Sequence, residues 1–195
     1  MARSTLYLLL LSLLYITITV RSAATSSSSL SFIRSSCRAT TYPALCVQSL
    51  SAYAPSIQGN QRQLAQTALS VSLARAQNTV SFVNKLTKFK GLKGRETAAL
   101  RDCAEEVSDT VDRLSKSIKE LKSMRSTKGQ DFQWHISNIE TWVSAALTDE
   151  TTCVDGFAGK ALNSRVKTSI KTRIVNVAHV TSNALALINK YASRY

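Results

Sequence analysis

Seven apolar residues, Leu100, Ala104, Val107, Val111, Leu114, Ile118 and Leu121, follow one another at steps of four, three, four, three, four and three. At 3.6 residues per turn these steps return to one side of an α-helix, so the stripe predicts a long amphipathic helix running to Met124. Asp102, Glu105, Asp109 and Asp112 repeat with the same rhythm, shifted by one or two residues, and fall on the outward side. Cys103 lies beside the apolar face, where a bridge to another helix can form. Such a helix gains most of its stability by burying its stripe against others.

Three further segments carry matching stripes. Gln61 to Phe89 is expected to bury Leu64, Ala68, Val71, Ala74, Phe82, Leu86 and Phe89, with Asn78 as the polar interruption and Gly91 and Gly94 marking the turn that follows. Asp131, a candidate N-cap, opens a helix over Phe132, Ile136, Ile139, Val143 and Ala146, broadened by Trp142. The polar run from Thr148 to Phe157 is expected to start a second helical piece after a kink, closed by Gly156 and Gly159. From Ser164 a last helix presents Val166, Ile170, Ile174, Val177, Ala184, Leu187 or Ile188, and Tyr191. No run alternates with period two, and both prolines lie in the first third of the chain. The expected fold is all-α, an up-down-up-down four-helix bundle. Ahead of it, a short helix over Leu30 to Thr40 and a second from Pro43 through Ala52, ended by Pro55 and Gly59, form an N-terminal helical hairpin.

The first residues have another character. Arg3, the apolar or hydroxyl run Leu6 to Val20, and the small residues Ser22-Ala23-Ala24 read as a secretory signal, too short for a membrane anchor. Residues 1–24 are thus assigned to a signal peptide, 25–58 to a Ser-rich leader and the hairpin, and 59–195 to the bundle. Export favours two disulfides among the four cysteines. Three pairings are possible, and spacing favours Cys37–Cys46, stapling the hairpin, with Cys103–Cys153, closing a long loop. Paired Cys-x-x-Cys units are absent and only His135 and His179 occur, so neither a metal nor any other cofactor is expected. Each histidine is read as structural, Trp142 as core, and no Asn-x-Ser/Thr sequon occurs.

Charge is unevenly spread. The formal net charge is +13 at pH 7, yet all twelve carboxylates lie between Glu96 and Asp155. A basic shell with one acidic segment suggests polyanionic surroundings and, separately, a specific acidic patch. Nucleic acid is a poor fit for an exported chain; an acidic polysaccharide such as pectin fits better, held electrostatically. The paired carboxylates sit on an exposed convex helix without a cleft, and no phosphate loop or nucleophile elbow appears, so catalysis is not expected. Asp109 and Asp112 are also placed to pair with Arg113 and Lys116, at ~0.3–0.5 kcal/mol each.

The cysteine frame and its neighbours resemble the plant invertase and pectin methylesterase inhibitor family. The matching pieces are Cys37-Arg-Ala-Thr-Thr-Tyr-Pro-Ala-Leu-Cys46, Leu92-Lys-Gly94, Ala99-Leu-Arg-Asp-Cys103-Ala-Glu105, and above all the run Ser137 to Phe157 with Trp142, Asp149, Thr152, Cys153, Asp155 and Gly156. The resemblance implies a four-helix bundle with an N-terminal helical hairpin and bridges within the first and last cysteine pairs. It also implies a secreted, apoplastic inhibitor that is not an enzyme. In the methylesterase branch, polar and acidic residues on the second and third bundle helices occupy the enzyme's pectin-binding cleft. Matched through the cysteines, these are Glu105, Glu106, Asp109 and Asp112, with Thr152 and Asp155. Glu106 stands where that branch has an amide. The invertase branch uses a Pro-Lys-Phe loop between the same helices; here the turn reads Thr127-Lys-Gly-Gln-Asp-Phe132 and lacks it.

Overall fold

The computed structural model describes residues 27–89, 92, 94–124, 127–157 and 164–194. The expected signal peptide, Gly91 of the expected turn with its neighbours Lys90 and Lys93, and Gly159 lie outside them. Among the described residues the secondary structure is helical throughout. Two short helices, α1 (27–37) and α2 (Pro43–Leu50), lead through a 3₁₀ turn at Ser51–Tyr53 into the single turn α3 (Ala54–Ile57). Four long helices follow: α4 (Gln61–Leu86), α5 (Gly94–Ser123), α6 (Gly129–Asp155) and α7 (Ser164–Ala192).

The long helices form a square in which α5 packs on α4 and α6, and α7 packs on α6 and α4. Neighbours run antiparallel. Cys103 faces Cys153, Thr110 faces Ala146 and Glu120 faces His135 across α5 and α6. Likewise Arg75 meets Asn176 and Arg173 lies over Phe82 across α4 and α7. The expected up-down-up-down bundle is thus found, with both bridges, Cys37–Cys46 and Cys103–Cys153.

The hairpin docks on α7 through polar contacts as well as packing. The Tyr42 N–H donates to Asn183 Oδ1 (2.9 Å), the Asn183 amide donates to the Tyr42 carbonyl (3.0 Å), and the Tyr42 ring stacks on His179 at 3.7 Å. His179 therefore has a structural role. At the far end of α5, Arg62 donates to the carbonyls of Leu121 and Lys122, satisfying groups a helix C-terminus leaves open.

Several local readings need correction. α1 begins at residue 27, inside the expected leader. Pro55 lies in the first turn of α3 instead of ending a helix, because its missing N–H is not needed there. The chain then turns through Gln58 and Gly59, both at positive φ. Gly94 belongs to α5. In α4 the buried line runs Leu64, Ala65, Ala68, Leu69, Ser72, Ala76, Thr79 and Val83, whereas Ala74 and Asn78 face water and Phe89 is 65% exposed. The Ser72 and Thr79 hydroxyls donate to the carbonyls of Ala68 and Arg75, four residues back. Satisfied in this way, they enter the core without an unpaired polar group. α6 starts at Gly129, with Lys128 in the cap position and Asp131 in the first turn, and it runs unbroken through Thr148 to Asp155. The kink is absent because Asp149, Glu150 and Cys153 continue the buried side of the same helix.

Candidate target-binding face

The antiparallel pair α5 and α6 carries every carboxylate of the chain, seven on α5 and five on α6. α4 and α7 have none. The bundle is therefore electrically two-sided, negative along α5–α6 and positive along α4–α7.

On α5, burial of Leu100, Cys103, Val107, Thr110, Leu114 and Leu121 sets the rotation of the helix. The core line is turned slightly toward Cys103 and Thr110, leaving Ala104 and Val111 only half-buried. That rotation places Asp102, Glu105, Asp109 and Asp112 in water, as their spacing predicted. Glu106 differs. It is half-buried beside α6, and its carboxyl is pushed above the usual range, first by desolvation and then by Asp149, Asp109 and Glu105, against the opposing pull of Arg113. One carboxylate of the face is thus partly withdrawn from water against α6.

Two α6 carboxylates lie beside this row. Asp149, only 7% exposed, accepts a 2.6 Å hydrogen bond from Arg113 Nε. Burial raises the Asp149 pKa even so, and the nearby Asp109 adds to the effect. Arg113 therefore reaches across to α6 instead of back to Asp109, and no ion pair joins Asp109 to Arg113 or Asp112 to Lys116 among the described residues. Next to it, Glu150 is fully buried; Thr181 Oγ1 donates to its Oε1 (2.9 Å) while Oε2 has no partner. Desolvation pushes its pKa up to about 8, so the side chain is predominantly neutral at pH 7.

Glu105, Glu106 and Asp109 thus meet Asp149 in one electrostatic cluster, with Asp112 a turn further along α5. Thr152 and Asp155 are exposed on the last turns of α6, flanking Cys153 and so nearer the Cys103 end of the face. The Thr152 hydroxyl donates to the Thr148 carbonyl (3.0 Å), and its oxygen can still accept a hydrogen bond. Sequence reasoning missed Asp149, Arg113 and Glu150. The spacing held the signal: from Val143 and Ala146, steps of three or four reach Asp149, Glu150 and Cys153.

The helix pair is tied at one further point. His135 on α6 lies 2.7 Å from Glu120 Oε1 through Nδ1, clasping α6 to α5, while its Nε2 lies 3.6 Å from Asp131 on its own helix. Among the described residues no group of three or more His, Cys, Asp or Glu side chains is placed to hold a metal, and no helix is long and apolar enough to cross a membrane. Replacing Arg113 with Met is expected to cost about 1–2 kcal/mol at pH 7, because a largely buried Asp149 carboxylate loses its partner. Near pH 4 Asp149 protonates more readily and the loss shrinks. Urea unfolding of Arg113→Met and wild type at the two pH values measures both.

Residues 31–187 match the plant invertase/pectin methylesterase inhibitor family. The 21 kDa protein of Daucus carota is 54% identical over 176 residues, 90% of this chain and 91% of that one. Pectinesterase inhibitor 11 of Arabidopsis thaliana is 52% identical over 195 residues, 98% of this chain and 96% of that one. The crystal structure of mutant form A of a pectin methylesterase inhibitor from Arabidopsis aligns with a TM-score of 0.63 at 23% identity, over 78% of this chain and 92% of that chain, a likeness of fold. Helices, bridges and sequence agree: the chain belongs to the plant invertase/pectin methylesterase inhibitor family.

Proposed function

We propose that this chain is a protein inhibitor of pectin methylesterase, exported to the cell wall after removal of residues 1–24. It forms a reversible 1:1 complex in which Glu105, Glu106, Asp109 and Asp112 of α5, with Thr152 and Asp155 of α6, fill the enzyme's pectin-binding cleft. The observation that carries this reading is the outward row Glu105, Asp109 and Asp112 on a helix that the Cys103–Cys153 bridge ties to α6. Carboxylates held at helical spacing stand in for the uronate groups of pectin and accept hydrogen bonds from the donors that grip them. Because the bridge and the Arg113–Asp149 pair fix the two helices in register, little freedom is lost on docking. A relative of matching length carries the name pectinesterase inhibitor, which supports the same target.

Titration of pectin methylesterase with the mature protein tests this directly, with sucrose hydrolysis by acid invertase run in parallel. Activity of the methylesterase is expected to fall to a floor at one equivalent, with invertase unaffected. Full methylesterase activity at stoichiometric excess would overturn the proposal, and inhibition of invertase alone would move the chain to the other branch of its family.

A further inference from the structure

The positive side of the bundle holds a feature that enzyme inhibition does not use. Three adjoining recesses of about 790, 360 and 530 Å³ line the seam between α4 and α7. The first two share Thr172 and Arg173; the second and third share Arg75, Asn78 and Asn176. Together they form one groove from Phe82 to the N-terminal hairpin at Tyr53. The twelve residues from Arg165 to Asn176 alone span ~16 Å of helix, long enough for an oligosaccharide.

We propose that this groove is a binding site for a linear acidic polysaccharide, a chain of sugar rings bearing carboxylates. Two of its guanidinium groups, those of Arg75 and Arg173, are held in place before any ligand arrives. Arg75 Nη1 donates to Asn176 Oδ1 at 2.6 Å, and the Arg173 guanidinium lies 4.0 Å over the Phe82 ring. A planar fork fixed in this way pairs with a carboxylate through two hydrogen bonds at low cost in side-chain freedom. Asn78, Gln48 and Thr172 line the same groove with amides and a hydroxyl suited to sugar hydroxyls. At the hairpin end Tyr53, 46% exposed, offers a ring face to a sugar. No carboxylate lies on α4, α7 or the hairpin to compete for the cations.

The composition of the groove favours this ligand over other polyanions. Single-stranded nucleic acid calls for a succession of aromatic platforms along the backbone track; here Phe82 is covered by Arg173 and Tyr53 stands at the other end. A membrane surface calls for an apolar face set beside the cations; here the aliphatic lining residues Leu45, Val71 and Ala74 gather at the hairpin end, while hydroxyls of Thr168, Ser169 and Thr172 stand beside the cations at the other. The site lies across the bundle from the acidic α5–α6 face, so one molecule can hold the wall polymer and an enzyme together. It does not depend on the inhibitory reading.

Calorimetric titration of the mature protein with de-esterified oligogalacturonate is the test. The same oligomer with its carboxyls methyl-esterified and a single-stranded DNA serve as competitor classes. Two variants remove equal charge: Arg75→Gln with Arg173→Gln in the groove, and Lys116→Gln with Lys119→Gln on α5. We expect the acid oligomer to bind, and the groove variant to lose roughly tenfold or more. The α5 variant should lose less than about threefold, since its charges act only through the general field. Inhibition of pectin methylesterase by the groove variant should match wild type. Absence of binding, equal loss in both variants, equal binding of the esterified oligomer, or DNA binding with the same arginine dependence would each overturn the site. Sugar binding without methylesterase inhibition would leave this site standing and remove the inhibitory function.

Discussion

Replacing Cys103 and Cys153 together with Ala is expected to lower the unfolding free energy by about 4 kcal/mol. The bridge spans a sequence separation of 50, so breaking it releases a long loop in the unfolded chain and raises that state's entropy. Alanine is the right replacement because both cysteines are almost fully buried, at 1% and 2% exposure, and a serine hydroxyl would need a new partner. The Cys37–Cys46 bridge spans only 9 residues, and its removal should cost about 2.5 kcal/mol. Urea midpoints of the two variants therefore separate in a defined order. A smaller loss for the long-loop variant would show that the bridge does not act through the unfolded chain. Below its transition the Cys103/Cys153 variant should also inhibit more weakly, since α5 and α6 then shift against each other.

A second large effect is expected from pH alone, through Glu150. Its carboxyl is buried with one oxygen unpartnered, and its pKa is raised from 4.5 to about 8. Between those values the folded chain holds a proton that the unfolded chain has released. Stability from this group is thus complete below about pH 4.5 and is lost as pH rises toward about 8. The interval corresponds to on the order of 5 kcal/mol. The raised values of Asp149 and Glu106 act in the same direction. Glu150→Gln keeps the shape and removes the titration. Its stability should stay close to wild type at pH 5, exceed it by several kcal/mol at pH 8, and show a much flatter curve between them. Parallel curves for the two proteins would remove Glu150 as the origin of the pH dependence.

Helical periodicity carried most of the architecture. The α6 residues Phe132, Ile136, Ile139, Val143 and Ala146 were all readable as core because each is apolar and each falls on one stripe. The reading stopped where burial and residue type part company. Asp149 and Glu150 occupy the next positions of that stripe, and a charged residue there looks like surface until Arg113 and Thr181 are seen to meet it from other helices. In α4 the same limit applied to Ser72 and Thr79, whose hydroxyls are satisfied within their own helix. Of the candidate face, Glu105, Asp109 and Asp112 were legible because outward spacing needs only one helix. The half-buried state of Glu106 was not, since it depends on α6. Arg113 illustrates the same point: local spacing offers it Asp109, but the desolvated Asp149 on α6 takes it.

The account rests on the outward carboxylates of α5, and Asp109→Ala with Asp112→Ala examines them with the least disturbance, both side chains being exposed. The measurement is the inhibition constant toward pectin methylesterase, taken with the helical circular dichroism of the same samples. If these groups accept charge-assisted hydrogen bonds in the cleft, the constant should rise by roughly one hundredfold with helicity unchanged. Equal potency of wild type and double variant would contradict the acidic face as the inhibitory surface.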